Sequence, residues 1–456
     1  MTRSALLADE VLAIGAGCLS AADRAQIHKL ILDHLACCYR GAHLPWGLKM
    51  REWANAHGSK GQSPLFACPD SASPAIAAFV NATAAHGLEL DDTHDESISH
   101  PGAPVIAAAV ALAVPRESNA DALFAAINAG YEVVGRIGAA TNAARVVEHG
   151  FHPTSLFAGF GVTAAAACLY GFDATRLQRA WGLMLSMAGG SMQFSQETVG
   201  TTVKRLHGGL AALHGVMAAD LAALDIYGPE QALEGRYGLV NIFGRDQEPA
   251  RLSAPHADAP EIHRISFKAY PCCRFFHSTL DALHEVTDGF SIDAQTITRY
   301  RIGGPELLST QHVVRRPQSE MAAQYSLPFV IGAATIFGPR SVEPYSDAEL
   351  ANKNILEIAD QVDVVIDASL QAKFPDHFGS WIEIELRDGS VRRAEVLDSI
   401  GTPANPMTTD DLIDKFDSLI APIDNVLHGG DVARAIKSLN NAASIKALFA
   451  RFQGSA

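Results

Sequence analysis

Apolar residues recur at the spacing of a helix face through about the first 265 of the 456 residues. One such face consists of Ile27, Leu30, Ile31, Leu35 and Cys38. Alanine-rich stretches at 73–86, 103–113 and 119–130 carry small side chains, which let helices approach each other closely. The pattern therefore predicts an all-helical domain over residues 1–266.

The character of the chain changes after residue 266. Runs rich in β-branched residues at 296–302 and 362–366 indicate short strands. Between 381 and 396, polar and apolar residues alternate on both sides of Asp388-Gly389, a pair that favours a type I′ hairpin turn. An α+β domain is therefore predicted at 267–398.

Helical spacing returns over residues 399–456, where Thr409 is a candidate N-cap. The predicted fold is mainly α, with a large all-helical domain built from both chain ends and a smaller inserted α+β lid. Ligands often bind between domains, so we expect the site between these two units.

The charge balance excludes several classes of protein. Fifty acidic residues against 35 basic ones give a net charge of −15, which argues against nucleic-acid binding. The apolar stretches at 103–114 and 156–170 are shorter than the roughly 20 residues that span a bilayer. Asp9 and Glu10 interrupt the N-terminal apolar stretch and argue against a secretion signal. A cytoplasmic protein without a membrane partner is predicted.

The cysteines indicate reduced thiols rather than a metal or redox centre. They include two adjacent pairs and no CxxC spacing: Cys18, Cys37, Cys38, Cys68, Cys168, Cys272 and Cys273. A nucleophilic Cys272 or Cys273 is an alternative, although cysteine is commonly just a small buried residue. With no Walker loop or GxGxxG motif either, we predict no cofactor.

The densest polar segment runs from Glu89 to His100 and contains Asp91, Asp92 and Thr93. Carboxylates next to imidazoles can set each other's protonation, as general acid–base chemistry requires. The alternatives are a solvated loop before the next helix, or a metal site. Because the segment has no HxH or HExxH spacing, no metal is predicted.

His152 precedes Pro153 and an apolar helix, whose N-terminus could hold a substrate carboxylate. We expect its imidazole to titrate near neutral pH. The alternative is a turn residue, with Thr154 or Ser155 as the helix cap.

Cations in two further segments are candidate anion-binding groups. Lys204-Arg205 follows Gly200-Thr201-Thr202 and opens a helix, although an ordinary surface pair is equally consistent with the sequence. The segment 268–277 contains Lys268, Arg274 and His277 at the predicted domain boundary, where clefts form.

The four segments, in this order, resemble the MmgE/PrpD family, which includes 2-methylcitrate dehydratase, cis-aconitate decarboxylase and iminodisuccinate epimerase. Supporting matches are HGLELDDTHDESISHPG at 86–102, GFHPTSLFAGFG at 150–161, KAYPCCRFFHSTLDA at 268–282, MAAQYSLPF at 321–329 and KFDSLIAP at 415–422. The resemblance implies a helical domain with an α+β lid and a homodimer. The chain departs from the pattern of some decarboxylating members at Glu89, where they have Asp, at Phe329, where Tyr is expected, and by one extra residue between Thr93 and His100.

The family's site residues carry over to Asp91 or Asp92, Thr93, His100, His152, Lys204, Lys268 and His277. These members share proton transfer at a carbon beside a carboxylate, followed by loss of water, loss of CO₂ or reprotonation. The prediction is a cofactor-independent lyase for a small di- or tricarboxylic acid, with 2-methylcitrate-like dehydration first. Epimerisation, decarboxylation and a non-catalytic carboxylate-binding protein are the alternatives.

Each predicted residue has a role in this chemistry. His100 and His152 form the acid–base pair, oriented by Asp91 and Asp92. Cations neutralise carboxylates and the developing enediolate-like charge. The residues with these binding roles are Lys204, Lys268 and Arg274, with Thr93 and His277 also contacting substrate.

Overall fold

The computed structural model describes residues 1–17, 19–58, 60–197, 201–289, 294–310 and 312–454. Within them the chain is mainly α, as predicted. The helices are, in chain order, α1 (Arg3–Ala16), α2 (Ala21–Ala42), α3 (Pro45–His57), α4 (Pro74–His86), α5 (Gly102–Ala113), α6 (Ala120–Thr141), α7 (Ala143–Glu148), α8 (Pro153–Tyr170), α9 (Ala174–Leu185), α10 (Val203–Ala223), α11 (Leu239–Phe243), α12 (His277–Val286), α13 (Glu306–Thr310), α14 (Glu320–Gln324), α15 (Leu327–Phe337), α16 (Lys353–Asp360), α17 (Ala368–Gln371), α18 (Thr409–Ile420), α19 (Gly429–Lys437) and α20 (Ala442–Ala450).

The strands are short and form three small sheets within the described residues. They are β1 (Lys60–Pro64), β2 (Ser71–Ala72), β3 (Thr93–His94), β4 (Ile265–Ser266), β5 (Ile297–Gly304), β6 (Val362–Ile366), β7 (Ser380–Leu386) and β8 (Val391–Val396).

The chain divides into two compact units. Unit 1 contains residues 1–192, 203–266 and 408–456, and unit 2 contains residues 193–202 and 267–407. The division at 266/267 falls where the sequence changes character. The last division falls at 407/408, nine residues after the predicted 398/399 limit, and residues 193–202 of the predicted helical domain belong to unit 2.

Unit 1 is organised around α8, which packs against α6 on one side and α10 on another. Glycines allow this close approach, because a Cβ at Gly161 would lie 2.5 Å from the carbonyl oxygen of Gly130 on α6. Within the described ranges, α8 alone is long and apolar enough to cross a membrane as a single helix, but 83% of it is buried inside the protein. Its apolar character is therefore explained by its place in the core.

Unit 1 is not wholly helical, and in this detail the prediction was wrong. Strand β1 pairs with β2, and β3 pairs with β4 through Thr93 opposite Ser266 and His94 opposite Ile265. The second pair joins the polar segment after α4 to a region about 170 residues later in the chain. Sequence periodicity does not reveal two-residue strands of this kind.

Unit 2 contains a four-stranded sheet in the order β6-β5-β7-β8, with β5 parallel to β6 and antiparallel to β7. The predicted β7–β8 hairpin is present, but its turn is not type I′. That turn needs positive φ at both central residues. Within the loop 387–390, positive φ occurs at Gly389 (83°) and not at Asp388.

The helix α18 contributes a buried cation to unit 1. It begins after Thr408, which caps it together with Asp411, one residue before the predicted Thr409. Lys415 on α18 donates hydrogen bonds to Asp33 of α2 at 2.6 Å and to the carbonyl oxygen of Leu90 at 2.7 Å. The ion pair is buried, so each charge depends on the other.

Replacing Lys415 with Met should lower the free energy of unfolding by about 3–5 kcal/mol, because the carboxylate of Asp33 loses its partner while remaining buried. Urea unfolding followed by circular dichroism measures the change. The matched variant Lys446→Met alters an exposed lysine and should stay within about 0.5 kcal/mol of the parent protein. A loss below 1 kcal/mol for Lys415→Met would show that the pair is not needed for stability.

Candidate active site

The loop between α4 and α5, residues 87–101, places three carboxylates inside unit 1. Glu89, Asp91 and Asp92 are each 1–3% exposed. A buried carboxylate is costly unless hydrogen bonds or an opposite charge compensate it. Each of the three has such a partner, and the partners come from different helices.

Glu89 forms an ion pair with Lys204 of α10, and both side chains are buried. Asp92 accepts a hydrogen bond from the Tyr131 hydroxyl of α6 at 2.6 Å and another from the backbone N–H of Gly102 at 2.9 Å. Asp91 contacts Nδ1 of His86, the last residue of α4, at 2.7 Å. The loop is thus attached to α4, α6 and α10 through its acidic side chains.

The backbone of this loop is also held. Lys415 donates to the carbonyl oxygen of Leu90, and the β3–β4 pair holds Thr93 and His94. The imidazole of His94 makes a 2.8 Å contact with Glu261, and the Thr93 hydroxyl donates to Asp95 at 3.1 Å. These bonds limit the freedom of the loop, and a catalytic group must be held in this way to act with defined geometry.

Asp91 lies between two imidazoles. Its Oδ2 contacts Nδ1 of His86, and its Oδ1 lies 3.6 Å from Nδ1 of His100. Nδ1 of His100 also makes a 3.0 Å contact with the backbone oxygen of Asp92. Asp91 and Asp92 therefore both lie near Nδ1 of His100, one with its carboxylate and the other with its main-chain oxygen.

His152 occupies the N-cap position of α8, with Pro153 as the first helical residue and no side-chain cap. Thr154, the alternative cap, instead accepts a hydrogen bond from the backbone N–H of His100 at 3.1 Å. Nδ1 of His152 lies 3.0 Å from Nδ1 of His207 on α10, and its ring centroid is 6.0 Å from that of His86. We refer to His86, His100, His152 and His207 as the imidazole cluster.

Burial lowers the pKa values of two histidines in this cluster, His152 and His207. Burial lowers the pKa of His152 well below its ordinary value, and the nearby His207 and Lys204 lower it further. Burial likewise lowers the pKa of His207 to about 4. His152 is therefore neutral at pH 7, and the expectation that it titrates near neutral pH was wrong.

The pKa of Asp92 is shifted in the opposite direction, above its ordinary value. Burial raises its pKa to about 7, and the charges of Asp33 and Asp91 add to this effect, while the hydrogen bond from Tyr131 opposes it. A carboxyl group with this pKa exchanges its proton near neutral pH. Asp92 can therefore hold or release a proton in the same loop as His100.

The predicted site residues of unit 1 lie in the loop or in the elements around it, namely Asp91, Asp92, Thr93, His100, His152 and Lys204. In unit 2, His277 begins α12, and its ring centroid lies 5.1 Å from that of Tyr270. Arg274 donates to the hydroxyl of Ser399 at 3.1 Å and lies over the Phe378 ring. Lys268 is buried.

Sequence reasoning missed His86 and His207, although both lie beside segments that it selected. His207 is three residues after Lys204, so the two share a helix face. His86 ends α4 and directly precedes the acidic loop. The spacing from Lys204 along the helix could therefore have indicated His207. The contact of His86 with Asp91 could not be predicted in this way, because it depends on how the loop after α4 folds back.

Two other possibilities can be placed in the structure. Among the described residues, His86, Asp91 and His100 form a group whose ligand atoms lie within 4.8 Å of one another and could hold a metal ion.

Cys272 and Cys273 are buried, whereas Cys18 and Gly200 lie outside the described residues. A cavity of about 660 Å³ in unit 2 is lined by residues of β5, β6 and β7 and by none of the predicted site residues.

The chain matches the MmgE/PrpD N-terminal domain over residues 6–252 and the MmgE/PrpD C-terminal domain over residues 270–432. It belongs to the MmgE/PrpD family. Among relatives, cis-aconitate decarboxylase of Mus musculus is 28% identical over 85% of this chain and 80% of its own length. The human cis-aconitate decarboxylase is also 28% identical, over 85% of this chain and 81% of its own length. That of Aspergillus terreus is 24% identical over 92% of this chain and 89% of its own length.

These MmgE/PrpD relatives are enzymes, and the identities extend through both units. The first domain match contains the acidic loop and the whole imidazole cluster, and the second contains Arg274 and His277. Family membership therefore supports an enzymatic interpretation of the geometry described above.

The stability of this MmgE/PrpD protein should depend on pH through His207. Its folded-state pKa of about 4 lies below the ordinary value of 6.5, so its stabilising contribution is complete above pH 6.5 and is lost as pH falls towards 4. His207→Gln removes this group and should flatten the dependence by up to about 1.4 kcal/mol per pH unit in that window. Urea unfolding between pH 4.5 and 7 measures both slopes. Parallel curves for the two proteins would contradict the assignment.

Proposed function

We propose that this chain is a lyase that transfers a proton at a carbon next to a carboxylate of a small di- or tricarboxylic acid. Loss of water from a hydroxy acid of the 2-methylcitrate type is the reaction that we place first. The observation that carries the proposal is the division of the imidazole cluster into two halves. His152 and His207 are neutral at pH 7, whereas His86 and His100 flank the carboxylate of Asp91.

This division supplies a base and an acid in one place. A neutral imidazole can accept a proton, and His152 is neutral because burial and nearby cations disfavour its charged form. An imidazole beside a carboxylate can carry a proton, because the negative charge stabilises imidazolium. We therefore assign His152 as the base that removes the C–H proton, and we place the acid among the imidazoles that flank Asp91, of which the sequence predicts His100.

Lys204 supports the charge that develops on the substrate. Its positive charge acts at His152, where it contributes to the lowered pKa. The same charge stabilises an enediolate-like anion formed when His152 removes a proton nearby. The ion pair with Glu89 fixes the position of the Lys204 ammonium, so that little reorganisation accompanies the reaction.

Decarboxylation is the second candidate, because the relatives described above are named cis-aconitate decarboxylases. It needs the same electrostatic support but releases CO₂ instead of water. The resemblance implies that some decarboxylating members have Asp at the position of Glu89, so we place dehydration first. Epimerisation and simple carboxylate binding remain alternatives, and a homodimer and a cytoplasmic location remain expectations.

Lys268, Arg274 and His277 stay predicted substrate-binding residues. A group that binds the ground state and the transition state equally well affects KM rather than kcat. Single alanine variants at these positions should therefore be compared for KM before any catalytic role is assigned.

Incubation with citrate, 2-methylcitrate, cis-aconitate and iminodisuccinate in D₂O should show dehydration or hydration of a hydroxy acid by proton NMR. Deuterium incorporation also reports proton transfer that yields no net product. Protein dialysed against EDTA should react at the same rate, because the proposed chemistry uses side chains alone. If chelation stops turnover and one divalent ion restores it, His86, Asp91 and His100 form a metal site. If no acid reacts or exchanges, the proposed function is wrong.

His152→Gln should lower kcat by roughly 10²- to 10⁴-fold, the usual contribution of a general acid–base group. KM should change little, because the lost interaction belongs to the transition state. Steady-state rates per folded molecule, with folding checked by near-UV circular dichroism, test this expectation. His57→Gln, at an exposed helix end, is the matched control and should retain wild-type turnover. Normal turnover by folded His152→Gln would remove His152 from the mechanism.

A further inference from the structure

His86 combines complete burial with an unused ring nitrogen. Its side chain is 0% exposed, and Nδ1 contacts Asp91 at 2.7 Å. Nε2 has no hydrogen-bond partner among the described residues. A buried polar atom without a partner costs free energy comparable to a lost hydrogen bond, so such an atom next to reactive groups points to a missing ligand.

The bond to Asp91 restricts what Nε2 can bind. An ionised carboxylate only accepts hydrogen bonds, so Nδ1 of His86 carries the hydrogen of this contact. Nε2 is then a lone pair in the neutral ring and an N–H donor in the imidazolium. A partner that serves both states must accept and donate, as a hydroxyl group does, whereas a carboxylate only accepts and an ammonium only donates.

The surroundings place this nitrogen in the reactive cluster. The ring of His86 lies 5.0 Å from that of His100 and 6.0 Å from that of His152, measured between centroids. Gly208 of α10 also packs against His86, since an added Cβ would be 3.1 Å from Cβ and 3.2 Å from Cγ of His86. The ring is therefore bound by Asp91 and packed against α10.

Resting on the proposed function, we infer that Nε2 of His86 binds the hydroxyl group of a hydroxy polycarboxylate and supplies the proton with which that group leaves. The C–H proton goes to His152, and the C–H electron pair forms the new double bond. The C–O electron pair stays on oxygen, which takes the Nε2 proton and departs as water. One imidazole gains a proton and one loses a proton, so exchange with solvent restores both.

Two matched ligands test this inference through binding, independently of turnover. Citrate and tricarballylate share three carboxylates and differ by the central hydroxyl group. Wild-type protein should bind citrate about 10-fold more tightly, since a hydrogen bond to a charged group commonly contributes that much. Isothermal titration calorimetry gives both dissociation constants, or KM and Ki replace them if citrate reacts.

His86→Asn keeps an N–H donor for Asp91 but has no atom at the Nε2 position. The citrate preference should fall to about one, and His86→Gln, whose amide reaches further, should retain part of it. His57→Asn changes an exposed histidine that also ends a helix and should keep the full preference. If His86→Asn does not fold, Gly208→Ala displaces the ring and should reduce the preference in a folded protein.

The outcomes separate the inference from the proposed function. Equal weakening of both ligands by His86→Asn, with the preference unchanged, would show that His86 only positions Asp91 and would overturn the inference. Equal binding of both ligands by wild-type protein would overturn it as well, while leaving the polycarboxylate site intact. If neither ligand binds, the proposed substrate class is wrong and the inference falls with it.

Discussion

Unit 1 depends on keeping three carboxylates of one loop inside a helical core. Removing a carboxylate from water costs several kcal/mol unless a partner compensates it. Lys204, His86 and Tyr131 are those partners for Glu89, Asp91 and Asp92. Because they lie on α10, α4 and α6, these helices must meet at this loop for the charges to be compensated, and Lys415 adds α18 through the Leu90 carbonyl oxygen. The packing that stabilises the unit and the geometry of the candidate site are therefore the same set of contacts.

The same burial accounts for the chemical division within the imidazole cluster. Different surroundings give histidines different pKa values, which favours one as a base and another as an acid at a single pH. Here His152 and His207 face each other and the ammonium of Lys204, so their charged forms are disfavoured. His86 and His100 instead flank the carboxylate of Asp91. The two halves of the cluster therefore differ in charge environment, with an ammonium near one half and a carboxylate near the other.

Local patterns in the sequence predicted the helices, the β7–β8 hairpin and the segment that carries the acid–base groups, because each is specified by spacing over a few residues. The predicted I′ turn and the Thr409 cap failed because alternatives one residue away satisfy the same composition rules. The Glu89–Lys204 and Asp33–Lys415 pairs could not be predicted. Their members lie 115 and 382 residues apart, and hydrophobic periodicity contains no information about which charges meet. The low pKa of His152 follows from that unpredicted packing.

A polycarboxylate substrate changes the electrostatics that the protein has alone. Nearby negative charge favours imidazolium, so a carboxylate bound beside the cluster opposes the burial and the cations that keep His152 neutral. Under the proposed function, His152 is a weak base by itself and becomes a stronger one when the acid arrives. A water molecule in the place of the substrate would not make His152 a stronger base, because water brings no negative charge. Under that proposal, proton abstraction is coupled to the presence of an anionic substrate, so that an acidic protein can still direct its chemistry to acids.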